Sequence, residues 1–128
     1  MLRGIFAGGL ALAATGLVMT VGPAAHADLT APYARAGAIV DANGKLGSGK
    51  NVLRSWRAGV GRYCVEVASK VDTSEALIQI TPRQALRLPH IVYRSKSATC
   101  HHDNTISINV YNTSTGRLAD GGFDLAIA

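Results

Sequence analysis

Beyond residue 33 the chain alternates apolar and polar residues with a period of two, in short stretches. The clearest runs from Arg62 to Ser69, with Tyr63, Val65 and Val67 on one side and Cys64, Glu66 and Ala68 on the other. From Thr105 to Asn112, Ile106, Ile108 and Val110 alternate with Ser107, Asn109 and Tyr111. From Gly122 to Ala128, Phe123, Leu125 and Ile127 keep the same step. A period of two is the mark of a strand with one face buried. Shorter or less regular stretches at Ala34–Val40, Asn51–Arg57, Glu75–Thr81 and His90–Ser95 read the same way.

Turn residues punctuate these stretches. Asn43-Gly44 tolerates positive φ and predicts a tight hairpin turn, with Gly47-Ser48-Gly49 extending the loop. Ala58 to Gly61 and Thr113 to Gly116 mark two more turns. Pro82 has no N–H for a ladder and is expected to end the strand before it. Residues 83–88 read as one helical turn ahead of Pro89. About seven short strands between glycine-rich turns predict an all-β fold, a small antiparallel sandwich or barrel. Its expected core is Val52, Tyr63, Val65, Val67, Ile78, Ile80, Ile106, Ile108, Val110, Phe123 and Leu125. If Tyr63, Val65 and Val67 face that core, Cys64 faces away from it. The strand then carries a bridge on its outer face, or is covered on both sides by a second layer or a partner subunit.

The start of the chain departs from this pattern. Arg3 precedes an uncharged, largely apolar run from Gly4 to Val21, and Ala25-His26-Ala27 is a small-residue processing site. This predicts a secretory signal peptide over residues 1–27, cut before Asp28, and a single exported β-domain over residues 28–128. No second apolar run could span a membrane, so no membrane association is expected after cleavage. Without Arg3 the domain holds 12 basic and 8 acidic residues, a formal charge of +4. The basic residues are scattered, with no run of five or six. A scattered excess favours solubility over specific nucleic-acid binding. Cys64 and Cys100 are the two cysteines, and an exported pair is expected to be bridged.

The series Arg57-x-Gly59-x-Gly61-x-Tyr63-x-Val65-x-Val67, followed by Val110-Tyr111-Asn112-x-x-x-Gly116-x-x-x-Asp120-x-x-Phe123-x-Leu125, resembles a pattern in small secreted actinobacterial β-rich proteins of unknown function. It is also similar to β-rich C-terminal modules of phage tail-fibre-like chains. The resemblance implies an all-β fold and a binding or structural role in oligomers. It rests on turns and core strands and supplies no catalytic residues. Such sequences often finish with a cysteine, where this one has Ala128.

Chemistry-bearing residues are few. Trp56 is the only tryptophan. Cys100-His101-His102-Asp103-Asn104 is a polar cluster that reads as a loop before the Thr105 strand; His101 and His102 could grip one metal only in a loop, with His90 or acidic residues supplying the remaining ligands. Trp56, His101, His102 and Asp103 are therefore candidate surface or ligand contacts, with no metal or cofactor expected. Gly44 to Lys50 approximates a phosphate loop, but Asn51 stands where Ser or Thr is needed and a strand follows instead of a helix. The acidic residues form no recognisable pair, and no Gly-x-Ser-x-Gly elbow is present. The sequence thus favours a secreted, extracellular, non-catalytic domain that binds a protein or surface polymer, or itself as a homo-oligomer. The alternative is a small secreted hydrolase such as a nuclease, using Glu66 with a histidine and an arginine on a sheet face. A concave pocket uniting Glu66 or Asp103 with a histidine and an arginine would favour the hydrolase.

The export reading is checked by N-terminal sequencing of the protein recovered from culture medium. The expected first residue is Asp28; a dominant species that keeps Met1 to Ala27 would contradict it.

Overall fold

The computed structural model describes residues 27–83, 85, 87–94 and 97–128. The expected leader up to His26 lies outside the described residues, as do Gln84 and Leu86 of the expected helical turn. Nine strands are present: β1 (Ala27–Asp28), β2 (Ala36–Val40), β3 (Leu46–Lys50), β4 (Val52–Gly59), β5 (Arg62–Val67), β6 (Ile78–Arg83), β7 (His90–Arg94), β8 (Thr105–Tyr111) and β9 (Gly122–Ile127). They form a five-stranded sheet in the order β1-β3-β2-β9-β6 and a four-stranded sheet in the order β4-β5-β8-β7. All pairings are antiparallel except that of the two-residue β1 with β3. There is no helix among the described residues, and the fold is an all-β sandwich.

The inner faces are the ones the alternation predicts. Tyr63, Val65 and Val67 of β5, Ile106, Ile108 and Val110 of β8, and Phe123, Leu125 and Ile127 of β9 are buried in one core with Ala36, Ala38 and Val40 of β2. Of the expected core residues, only Ile80 is partly exposed, because β6 is an edge strand. Val71 joins the core from the loop after β5, where no periodicity marked it.

Three local expectations are corrected. Gly47-Ser48-Gly49 does not extend a loop but forms the middle of β3, paired with β2 on one side and β1 on the other. Its small side chains hide the strand from any pattern of apolar alternation. Pro82 does not end its strand: β6 continues to Arg83, pairing Pro82 with Phe123. The other edge of β6 is free, so the missing N–H costs no ladder bond there. The third correction is a β-bulge in β4. Val52 faces Val67 across the ladder, but Arg54, not Leu53, faces Glu66. The extra residue, Leu53, is exposed, and beyond it the strand has turned over. Without the bulge Arg54 and Trp56 would share the inner face with Val52; with it, they lie on the outer face.

The turn before β3 is set by one glycine. Gly44 has φ +88°, and a Cβ there would meet the Arg57 nitrogen at 2.4 Å, so the turn is pressed against β4. Asp41 braces it by accepting hydrogen bonds from the Asn43 and Lys45 backbone N–H groups.

Candidate functional site

Two regions carry chemistry. The first is the outer face of the four-stranded sheet, where the disulfide resolves the position of Cys64. Cys64 and Cys100 are bonded, with Cα atoms 5.6 Å apart, within the roughly 7 Å that a bridge spans. Both are fully buried although Cys64 points away from the core. The cover is the chain's own segment 97–103. Ser97 Oγ accepts from the N–H groups of Thr99 and Cys100 and donates to Ser107 Oγ at 3.1 Å, seating the segment on β8. Thr105 and Ser107 beneath this short layer are buried too, so the first half of β8 is buried on both faces while Asn109 and Tyr111 are only half-buried. The second layer that the sequence left open between a loop and a partner subunit is thus supplied at Cys64 by the same chain.

The segment sets His102 beside the bulged strand. The His102 ring meets the Trp56 ring edge-on at 5.7 Å and stacks on His101 at 5.0 Å, 18° from parallel. Arg54 lies over the Trp56 ring, its guanidinium carbon 4.6 Å from the centroid, a cation–π contact. Arg54 Nε donates to Glu66 Oε1 at 2.6 Å, and Arg54 Nη2 lies 3.5 Å from His102 Nε2. The structure therefore brings together Trp56, His101 and His102 from the sequence candidates with Glu66, the acid named for the hydrolase alternative, and adds Arg54 as the arginine beside it. Asp103 is exposed and next in sequence; its backbone carbonyl accepts from Thr105 Oγ1. Arg54 was missed as an individual because its contact with Glu66 depends on the bulge, which alternation alone cannot place. No group of three metal-ligating side chains is assembled among the described residues.

The second region is a groove of about 670 Å³ at one end of the sandwich. Its walls come from the start of the β2–β3 turn, the segment after β6, the end of β8 and the stretch before β9. The floor rests on Tyr63. Its hydroxyl donates to the Ala42 carbonyl at 2.7 Å and accepts from the Gly121 N–H at 3.0 Å, joining the two backbone walls. Burial pushes the Tyr63 hydroxyl above its ordinary pKa range. Apolar surface comes from Pro82, Leu88, Pro89 and Val110, and polar groups from Tyr111, Asn112 and Thr113.

Every charged side chain lining the groove has a partner. Asp41 is engaged by its turn. Asp120 accepts from Arg57 Nε and from the Gly61 N–H at 2.8 Å. Arg83 pairs with Asp124 at 2.7 Å, and Arg87 donates to Ser114 Oγ at 3.0 Å. The Arg57 guanidinium, with help from the Gly61 N–H, holds the Asp120 carboxyl below the ordinary carboxylate range despite partial desolvation. No sequence signal marked this groove, because its residues come from four separated segments.

No family model matches the chain, and no curated protein or solved structure matches it either.

The Asp120 arrangement has a defined pH signature. A carboxyl whose pKa is depressed by folding stabilises the native state above its unfolded pKa of about 3.9, and that contribution is lost as pH falls through the depressed value. Asp120→Asn keeps an oxygen for the Gly61 N–H but removes the charge. It is expected to lower stability at neutral pH and to narrow the gap to wild type as pH drops below about 4. Urea denaturation from pH 7 to pH 2.5 measures this; a gap independent of pH would contradict it.

Proposed function

We propose that this protein is a secreted binding domain that holds a neutral glycan, a surface polymer, in the groove at the end of its sandwich. The observation that carries the reading is the groove itself: about 670 Å³, with its two acids and two arginines already satisfied by their own neighbours. Clefts of roughly 300–1,000 Å³ with apolar walls and a few polar groups are the usual form of a ligand site. Asp120 and Arg83 are matched by opposite charges, Asp41 is tied to its turn and Arg87 to a hydroxyl, so the groove offers little to a polycation and one arginine to a polyanion. A sugar chain matches it, since its rings have apolar faces for Pro82, Leu88 and Pro89 and its hydroxyls suit Asn112, Thr113 and the backbone of Gly121 and Gly122.

Work outside the cell fits the leader-like start of the chain and the Cys64–Cys100 bond. No helix among the described residues is long and apolar enough to cross a membrane. Binding without turnover fits the groove, because Asp41 and Asp120 are held by backbone N–H groups and Asp120 also by Arg57.

The test is an NMR titration of the 15N-labelled domain with neutral tri- to hexasaccharides of glucose, galactose, mannose and arabinose, with heparin as the charged comparison. Amide shifts are expected at Gly47, Asn112, Thr113, Gly121 and Gly122 with at least one neutral series. Shifts there with heparin alone, or with none of the sugars, would overturn the glycan reading.

A further inference from the structure

The outer face of the four-stranded sheet holds a constellation that the groove does not need. Three groups of complementary chemistry meet there from three segments of the chain: Arg54 of β4, Glu66 of β5 and His102 of the disulfide-anchored segment. Two separate devices bring them together. The bulge at Leu53 turns Arg54 to the outer face, and the Cys64–Cys100 bond lays residues 97–103 across it. Bulges often re-aim a side chain in this way next to a working site.

We propose that this face binds single-stranded RNA and cleaves its phosphodiester bonds by internal transfer to the 2′-hydroxyl. The inference stands independently of the glycan groove, which is formed by other residues.

The arrangement fits the chemistry. The Arg54 guanidinium lies between Glu66 and His102, with Nε turned to the carboxylate and Nη2 to the imidazole. The guanidinium can only donate, so His102 Nε2 is the acceptor in this contact; a phosphate that takes Arg54 Nη2 in its place leaves Glu66 on one side as base and frees Nε2 on the other to carry a proton as acid. Glu66 takes the proton of the ribose 2′-hydroxyl. The 2′-oxygen bonds to phosphorus, and the bond from phosphorus to the 5′-oxygen of the next nucleotide breaks. His102 gives that oxygen its proton. The products are a 2′,3′-cyclic phosphate and a 5′-hydroxyl, with no oxidant, reductant or water consumed. Arg54 offsets the negative charge that grows on the non-bridging oxygens.

Trp56 and His101 are positioning residues. The Trp56 ring carries Arg54 on its face and meets His102 edge-on, while His101 stacks on the other ring. The imidazole is thereby held between two rings.

The surrounding charge also suits a polyanion. Arg62 and Arg94 are exposed at outward-facing positions of β5 and β7. Arg94 lies in the same cross-strand row as Trp56, Cys64 and Ser107. With Arg54 they make three arginines on this face, where flanking phosphates would meet them.

The experiment uses the full domain from Asp28 to Ala128 and a fluorescently labelled single-stranded RNA 20-mer in excess EDTA, beside DNA of the same sequence. The account expects RNA fragments ending in 2′,3′-cyclic phosphate by mass spectrometry, and intact DNA, which lacks the 2′-hydroxyl. Glu66→Gln and His102→Gln, purified identically, should each cut at least about 100-fold more slowly, the usual scale for losing a general base or acid. His102 is exposed and Glu66 half-buried, and unchanged far-UV circular dichroism checks that the variants fold. RNA left intact by the wild-type protein, binding without cleavage, or cleavage that both variants retain would overturn the proposal.

Discussion

The Cys64–Cys100 bond is the constraint on which the outer half of this molecule depends. It joins the middle of β5 to the segment before β8 and closes a loop of 36 residues in sequence separation. In the chain-entropy model such a loop is worth about 3.8 kcal/mol. That is a large share of the roughly 5–15 kcal/mol that a domain of this size commands. The bond also decides geometry. It presses residues 97–103 onto the sheet, where Cys64 of β5 and Thr105 and Ser107 of β8 are buried on the outer face while Arg62 stays exposed. His101 and His102 owe their place over Trp56 to the same attachment.

At the end of the sandwich, Tyr63 plays the corresponding part. Its ring is fully buried against Phe123, and its hydroxyl ties Ala42 to Gly121 beneath the groove. One residue therefore packs the core with its ring and braces two groove-lining residues with its hydroxyl. Gly61, with φ +66°, sits beside it because a Cβ there would meet the Val110 carbonyl at 2.6 Å, and its N–H is the one that Asp120 receives. Core packing and groove shape are thus set by the same few residues.

The strands whose two faces differ in polarity were legible in the sequence. Val65 and Ile108 could be placed because Glu66 and Ser107 mark the opposite side. Strand β3 was not legible, since Gly47, Ser48 and Gly49 have almost no side chain to alternate. Pro82 misled because a proline blocks a ladder only on the side where the N–H would pair, and whether a strand lies at an edge is a property of the whole sheet. The polar run at His101 and His102 stood out as a cluster, and Trp56 as a lone large aromatic. Their meeting was not readable. It needs the bulge at Leu53, which reverses the facing of Arg54 and Trp56, and a disulfide whose partners lie far apart in sequence. The groove was invisible for the same reason: four segments converge on it and no one of them carries a motif.

The central claim is that the disulfide, rather than the packing of the sheet beneath, holds segment 97–103 in place. Amide hydrogen exchange in a Cys64→Ala/Cys100→Ala variant tests it directly. The account predicts that the amides of Thr99 and residue 100, bonded to Ser97 Oγ in the native protein, exchange freely in the variant. The amides of Val65 and Ile108 should keep most of their protection. A segment that stays as protected as in the native protein, or a sheet that loses protection together with it, would contradict the account.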